Sequence, residues 1–214
     1  MTKKGRKSMY KQTISVIAAV MMLGISWIPA GAAAPSKVGF LVVAPDRGFL
    51  GNQEVRSLVD EFKKSYTATL GLAGRDYTGV EGEYAAYLIR AAHELKQAGA
   101  TEIVAIPLFL SDADPLFKRV RPLLPAYTGG LPVRWAQAMA HDYLIGQIVL
   151  DRVGALSEHP ESERLIVVAT GALDSASEKA IRSDTEKLVE YVTRYKHFRE
   201  AEAVVYYDRE AENA

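Results

Sequence analysis

The sequence predicts a doubly wound α/β fold, in which helices cover both faces of a mostly parallel sheet. Short apolar runs alternate along the chain with amphipathic segments of about 10 to 20 residues, as in successive βαβ units. The clearest runs, Val38 to Ala44 and Ile103 to Leu108, carry apolar side chains at successive positions rather than at every second one. Such runs indicate strands that are buried on both faces, as the strands of parallel sheets are.

The predicted elements follow one another in regular order. The strands are Val38 to Ala44, Ala68 to Leu72, Ile103 to Leu108, Pro132 to Gln137, Leu165 to Thr170 and Ala203 to Tyr207. The helices are Gln53 to Tyr66, Glu83 to Ala98, Phe117 to Leu124, Leu144 to Leu156 and Ser175 to Tyr195. Apolar residues at helical spacing support these helices. Gly99 and Pro125 are typical stop signals for the second and third of them.

An internal repeat divides the chain. Leu41 to Ala44 (LVVA) recurs as Ile166 to Ala169 (IVVA), and each copy precedes a turn and a charged amphipathic helix. We therefore predict a full α/β unit, residues 35–158, and a partial second repeat, residues 159–214. A strand-helix-strand unit alone buries little apolar surface, so we expect the partial repeat to pack on the first unit. The surface that it leaves uncovered is compatible with a homodimer.

Residues 1–34 have the three parts of a secretory signal. Basic residues precede an uncharged apolar run from Ile14 to Ile28, and the small residues Ala30-Gly31-Ala32 follow it. We expect cleavage after Ala32 and export to the periplasm or cell envelope. The alternative is that the apolar run is retained as a membrane anchor, which would be the chain's only contact with a membrane. The basic residues are Lys3, Lys4, Arg6, Lys7 and Lys11.

Charge and composition exclude several classes of function. Removing the five basic residues of the signal from the 26 of the whole chain leaves 21 against 26 acidic residues, a net charge of −5. No cluster of Lys and Arg remains, which argues against nucleic acid as a partner. The absence of cysteine excludes disulfides, thiolate metal sites and a cysteine nucleophile. No glycine-rich phosphate-binding motif or G-x-S-x-G nucleophile motif occurs.

Two loops with acidic residues follow buried strands. Pro45 to Gly48 follows the first strand and contains Asp46, whereas Ser111 to Pro115 follows the third and contains Asp112 and Asp114. Ligands of open α/β sheets bind at the carboxyl ends of the strands. Carboxylates at that edge are candidates for binding a divalent ion or for accepting protons. The alternative is that they are ordinary turn residues, since Asp is favoured in turns.

Two further side chains belong to the predicted site. His141 precedes the helix Leu144 to Leu156 and is the histidine best placed to reach the same edge of the sheet. It is a candidate metal ligand together with Asp112 and Asp114, the alternative being a structural or switch-like histidine. Arg47 is a candidate for bidentate binding of a ligand carboxylate, or it pairs with a neighbouring acid.

Three stretches, which cover about a third of the chain, resemble the CbiX-type sirohydrochlorin chelatases. They are Gly39 to Lys64, Glu94 to Ser111 and Ile145 to Gly171, and the phrase QAGATEIVAIPLFLS is the most specific. Members of that family insert cobalt, or iron or nickel in relatives, into a tetrapyrrole ring, and their motif histidines bind the metal that faces the ring. Here the histidine positions are occupied by Pro45, by the histidine-free loop 112–115 and by Thr170.

The resemblance implies an exported, chelatase-like protein of tetrapyrrole metabolism, of the cobalamin or sirohaem type. As an enzyme it would be a lyase that inserts a divalent metal, cobalt by preference, into a sirohydrochlorin-like ring. Asp46, Asp112 and Asp114 would then replace the lost histidines in catalysis. Arg47 would bind the ring's carboxylates, and His141 would bind the metal with the aspartates of the second loop. The alternative is a catalytically degenerate protein that binds a tetrapyrrole or a metal in the cell envelope.

Overall fold

The computed structural model describes residues 37–74, 86–172 and 174–206, and it has an α/β fold built on parallel strands. The predicted signal, residues 1–34, lies outside the described residues. The strands are β1 (Val38–Pro45), β2 (Ala68–Ala73), β3 (Glu102–Pro107), β4 (Val133–Trp135), β5 (Arg164–Thr170) and β6 (Glu200–Tyr206). The helices are α1 (Gly48–Lys63), α2 (Ala86–Gln97), α3 (Pro115–Tyr127), α4 (Tyr143–Leu156) and α5 (Ser175–Thr193).

The chain forms two compact units. The amino-terminal unit contains the described residues up to Phe109 and the segment Leu116–Gln137. The carboxyl-terminal unit contains the short segment Leu110–Pro115 and the described residues from Ala138 onward. The second unit therefore includes α4.

The amino-terminal unit contains a four-stranded parallel sheet in the order β2-β1-β3-β4. The chain first adds β2 on one side of β1 and then crosses to add β3 and β4 on the other side. This reversal is the defining feature of a doubly wound sheet, and it places a topological switch point between the carboxyl ends of β1 and β3. The predicted fold class is confirmed.

Helices cover both faces of this sheet. Adjacent residues of β1 point to opposite faces and therefore pack against different helices. Leu41 and Val43 pack in a core with residues of α2 and α3. Phe40 and Val42 pack on the other face, in a core that includes Phe62 of α1. Every residue of β1 from 39 to 44 is buried, as its continuous apolar run predicts.

The carboxyl-terminal unit contains a two-stranded parallel sheet, β5 and β6, with α5 packed on one face. The helix α4 packs closely against α5. A Cβ added to Gly146 of α4 would lie 2.6 Å from the ring of Tyr191, so only glycine fits there without movement. This close approach explains why a glycine occupies a helix interior, where its propensity is poor.

Two predicted details of the elements are wrong. The apolar run Leu165 to Thr170 predicts a buried strand, but Ile166 and Val168 of β5 are 48% and 61% exposed. Among the described residues, β5 pairs with β6 alone and is covered by helix on one face, so its burial alternates. The third helix was expected to end before Pro125, but α3 continues through Pro122 and Pro125 to Tyr127. Its core contacts through Phe117, Val120 and Leu124 outweigh the hydrogen bonds that the two prolines cannot donate.

Within the described part of the chain, no helix combines the length and the apolar character that crossing a membrane requires.

Candidate functional site

The carboxyl-terminal unit brings His141 and Asp112 together. A backbone hydrogen bond of 2.8 Å, from the N–H of Ala140 to the carbonyl of Leu110, holds the 3₁₀ helix Met139–His141 against the acidic loop. The Nε2 atom of His141 then lies 3.3 Å from an Oδ2 atom of Asp112. Their side chains are 38% and 41% exposed, so both remain accessible to a ligand. Two of the three predicted metal ligands are therefore neighbours.

Asp184 of α5 forms the buried base of this loop. Its Oδ2 atom accepts a hydrogen bond of 2.6 Å from the hydroxyl of Ser111, and its Oδ1 atom accepts one of 2.8 Å from Nζ of Lys187. The Ser111 hydroxyl in turn accepts a hydrogen bond from the N–H of Ala113. Both Ser111 and Asp184 are buried. This network fixes the backbone of the acidic loop to α5.

The charge of Asp184 is stabilised in spite of its burial. Burial alone would raise the pKa of this carboxyl group. Hydrogen bonds from Lys187 and Ser111, and the electrostatic influence of Lys187 and His141, act in the opposite direction and leave its pKa below the ordinary value. Asp184 is therefore an anion that supports the loop.

Asp114 lies in the same loop, and its N–H donates to the carbonyl of Ser111. Among the described residues, no group of three or more His, Asp and Glu side chains is arranged to hold a metal ion. The structure thus places His141 and Asp112 as a pair and places Asp114 two residues further along the loop.

Asp46 belongs to the amino-terminal unit and acts as a turn residue. Its Oδ1 atom accepts hydrogen bonds from the N–H of Gly48, at 2.9 Å, and from the side chain of Asn52, at 2.6 Å. Gly48 has a φ of +72°, which glycine adopts readily, and the turn leads directly into α1. These contacts fit the interpretation of Asp46 as a turn residue. Its catalytic role stays a prediction.

Arg47 is exposed at the start of α1, and its N–H donates to the side chain of Asn52. Two large apolar residues follow it in the first turn of the helix. Phe49 and Leu50 are 79% and 78% exposed. Arg47 is therefore followed in the sequence by an exposed apolar pair in the first turn of α1.

Sequence reasoning missed Ser111, Asp184 and Lys187 as parts of this site. A signal for Asp184 was present, because it lies three residues after Ile181 and four before Leu188. Those apolar residues define the buried face of α5, so an acidic residue on that face must have a polar partner. The partner Ser111 is 73 residues away in the sequence, and no local pattern identifies it.

Comparison with protein-family models and with curated protein sequences finds no match. Comparison with solved structures finds similarity to the crystal structure of the maleate isomerase Iso from Pseudomonas putida S16. The identity is 13% and the TM-score is 0.24, over 79% of this chain and 64% of that one. This chain thus spans less than two thirds of the length of that protein. A similarity of this size carries no argument about function.

Proposed function

We propose that this protein is an exported, chelatase-like protein of tetrapyrrole metabolism. It inserts a divalent metal, cobalt by preference, into a sirohydrochlorin-like ring. The proposal rests on the resemblance to CbiX-type chelatases and on one structural observation, the contact between His141 and Asp112. In the family a histidine stands in the loop after the phrase PLFLS. Here that loop has no histidine of its own, but the contact brings His141 to it.

The geometry of this pair suits a metal-handling histidine. A carboxylate oxygen beside Nε2 favours the tautomer in which Nε2 carries the proton. The lone pair is then on Nδ1, which becomes the ligand atom. Histidines that bind metals commonly donate their other N–H to a carboxylate in this way, because the hydrogen bond orients the ring and makes it more basic.

Metal insertion requires proton acceptors as well as a metal ligand. The divalent metal replaces two protons on the inner nitrogens of the ring, so two protons leave for each metal that enters. The carboxylates of Asp112 and Asp114 are bases that can accept those protons. The network of Ser111 and Asp184 supports them by holding the loop in place.

A second candidate function is binding of a tetrapyrrole without metal insertion. The exposed pair Phe49 and Leu50 favours it, because a flat macrocycle buries apolar surface against such side chains. Arg47 beside them would bind a carboxylate of the ring by a bidentate hydrogen bond. This function needs no metal ligand and would survive the loss of the family's histidines.

The two candidates are distinguished by following the absorption spectrum of sirohydrochlorin, first with the protein alone and then after anaerobic addition of Co²⁺. A spectral shift with the protein alone indicates ring binding. Cobalt insertion that is faster than in a protein-free control indicates an enzyme. His141→Ala is expected to reduce the enzymatic rate about 100-fold or more, because it removes the proposed metal ligand itself, and loss of even a partner of such a ligand costs about 10–100-fold.

The matched control is His197→Ala, because His197 is an exposed histidine of the same unit. It should leave both ring binding and insertion unchanged. Ring binding without acceleration would support the second candidate, and equal effects of the two histidine variants would contradict the role of His141. If the ring neither binds nor gains metal faster, both proposals are wrong.

A further inference from the structure

A groove on the outer surface of the amino-terminal unit has no part in the proposed function. Its volume is about 360 Å³. It lies between α2 and the turn that follows α3, and this turn leads into β4. The turn is therefore at the amino edge of the sheet, whereas the loops discussed above follow carboxyl ends of strands. The lining residues are Ala86, Ile89, Arg90, His93, Lys96, Tyr127, Thr128 and Gly129.

The polar side chains of this groove are suited to an anion. Arg90, His93 and Lys96 are spaced three residues apart and so lie along one side of α2. They provide guanidinium, imidazole and ammonium donors, and Tyr127 adds a hydroxyl group. Among the described residues that line the groove, none is acidic. This concentration of donors contrasts with the acidic excess of the chain after its predicted signal.

The wall opposite α2 is held in a defined conformation. Lys96 donates a hydrogen bond of 2.7 Å to the carbonyl of Gly129, which ties the end of α2 to the turn. Gly129 and Gly130 have φ values of +63° and +89°, a conformation that favours glycine at both positions. The hydroxyl of Thr128 is buried and donates to the carbonyl of Leu131. The groove therefore needs little ordering when a ligand binds.

Arg90 is positioned to recognise the ligand. Its guanidinium carbon lies 6.0 Å from the centre of the Tyr87 ring. Contact with an aromatic ring restrains the guanidinium group while its N–H groups remain available to an acceptor. A planar carboxylate or a phosphate would accept two such hydrogen bonds side by side.

We propose that this groove is a binding site for a small organic anion that carries a carboxylate or phosphate group. Arg90 binds the anionic group directly, and His93, Lys96 and Tyr127 complete the set of donors around it. Ile89 and Ala86 provide an apolar surface for the uncharged part of the ligand. The volume accommodates a molecule of a few carbon atoms, much smaller than a tetrapyrrole. The site is independent of the His141–Asp112 pair.

The test is a titration of the ¹⁵N-labelled full chain with inorganic phosphate and, separately, with succinate, followed by ¹H–¹⁵N NMR. Ionic strength is kept constant with chloride. Saturable shifts are expected for the backbone amides of Arg90, His93, Lys96 and Gly129. Arg90→Gln should weaken the affinity about tenfold or more, because a charged hydrogen-bond donor is lost. Arg90→Lys should give a smaller loss, since the charge remains.

The matched control is Arg56→Gln, because Arg56 is an exposed arginine of α1 in the same unit. The affinity of the Arg56→Gln variant for the anion should equal that of the unmodified chain. Saturation by succinate alone assigns a carboxylate ligand, and saturation by phosphate alone assigns a phosphate ligand. The absence of saturable shifts with both anions would overturn the proposal. So would an equal loss of affinity in Arg90→Gln and Arg56→Gln, and the spectra themselves show whether each variant is folded.

Discussion

The strands β1 and β5 carry nearly the same sequence but occupy different environments. Leu41 to Ala44 of β1 reads LVVA, and Ile166 to Ala169 of β5 reads IVVA. In β1 all four residues are buried, whereas in β5 the exposure alternates and Val168 is 61% exposed. The strand β1 has a neighbour on each side and helices on both faces. In the part of the chain that the structure describes, β5 pairs only with β6 and carries α5 on one face.

The comparison shows that an apolar run predicts a strand more securely than it predicts the strand's surroundings. Both copies contain β-branched valines, which fit the pleated surface of a strand whether one face is covered or two. Burial depends on how many other elements cover the strand, and the described residues of the carboxyl-terminal unit supply fewer of them. Apolar residues at equivalent positions of β1 and β5 should therefore contribute very differently to stability.

The largest difference is expected between Leu41→Ala and Ile166→Ala. Leu41 is fully buried, and its truncation should lower the free energy of unfolding by about 2–5 kcal/mol through lost contacts and a cavity. Ile166 is 48% exposed, and its truncation should cost about 1 kcal/mol or less, mainly through strand propensity. Urea unfolding followed by circular dichroism measures both. Equal losses would show that β5 is buried in solution.

The next prediction compares the two acidic loops. Asp184→Ala removes the acceptor for Ser111 and Lys187 beneath the second loop and should destabilise the protein by about 3 kcal/mol. Asp46→Ala removes only the acceptor of an exposed turn and should cost about 1 kcal/mol. Thermal unfolding of both variants tests this order. A larger loss for Asp46→Ala would contradict the assignment of Asp184 as the buried support.

Acid should weaken the carboxyl-terminal unit through Asp184. Its pKa in the folded protein is below its ordinary value of 3.8, because hydrogen bonds and nearby positive charges outweigh the effect of burial. A lowered pKa in the folded state means that the stabilisation is complete above the unfolded-state pKa. It is lost as the pH falls through the lower folded-state pKa.

The measurement is the free energy of unfolding of the unmodified protein and of Asp184→Asn from about pH 7 to about pH 2.5, which spans the range of an Asp carboxyl group. The difference between them should shrink toward the acidic end. Ser111→Ala serves as the intermediate variant, because it removes one of the hydrogen bonds that lower the pKa. A difference that is constant with pH would contradict this prediction.

The smallest predicted effect concerns charges on the two-stranded sheet. Arg164 of β5 bridges Glu200 and Glu202 of β6, at 3.2 Å and 2.8 Å. All three side chains are about half exposed, so Arg164→Ala should cost only about 0.5–1 kcal/mol. Hydrogen exchange of the β6 amides should become slightly faster. Arg182→Ala, which removes a pair within α5, is the control and should not affect β6.

The sequence was sufficient for the fold class and for most elements, because apolar periodicity and glycine or proline signals are local. It also identified His141, Asp112 and Asp114 as a candidate set, since each follows a predicted strand. It did not identify the support of the second loop, because the bond between Ser111 and Asp184 joins positions 73 residues apart. The exposure of Phe49 and Leu50 was equally inaccessible, since apolar residues in a first turn are usually taken as core.

The placement of Leu110–Pro115 in the carboxyl-terminal unit has a consequence for the order of folding. The segment lies between β3 and α3, so it leaves the ribosome with the strands of the amino-terminal unit. Its partners on the 3₁₀ helix and on α5 are synthesised later, and Asp184 is among the last of them. Closing a connection of 73 residues also carries an entropic cost that a local turn does not. The acidic loop is therefore expected to become ordered last. A nascent chain that stops before α5 would contain the complete four-stranded sheet, but its acidic loop would lack the hydrogen bond to Asp184.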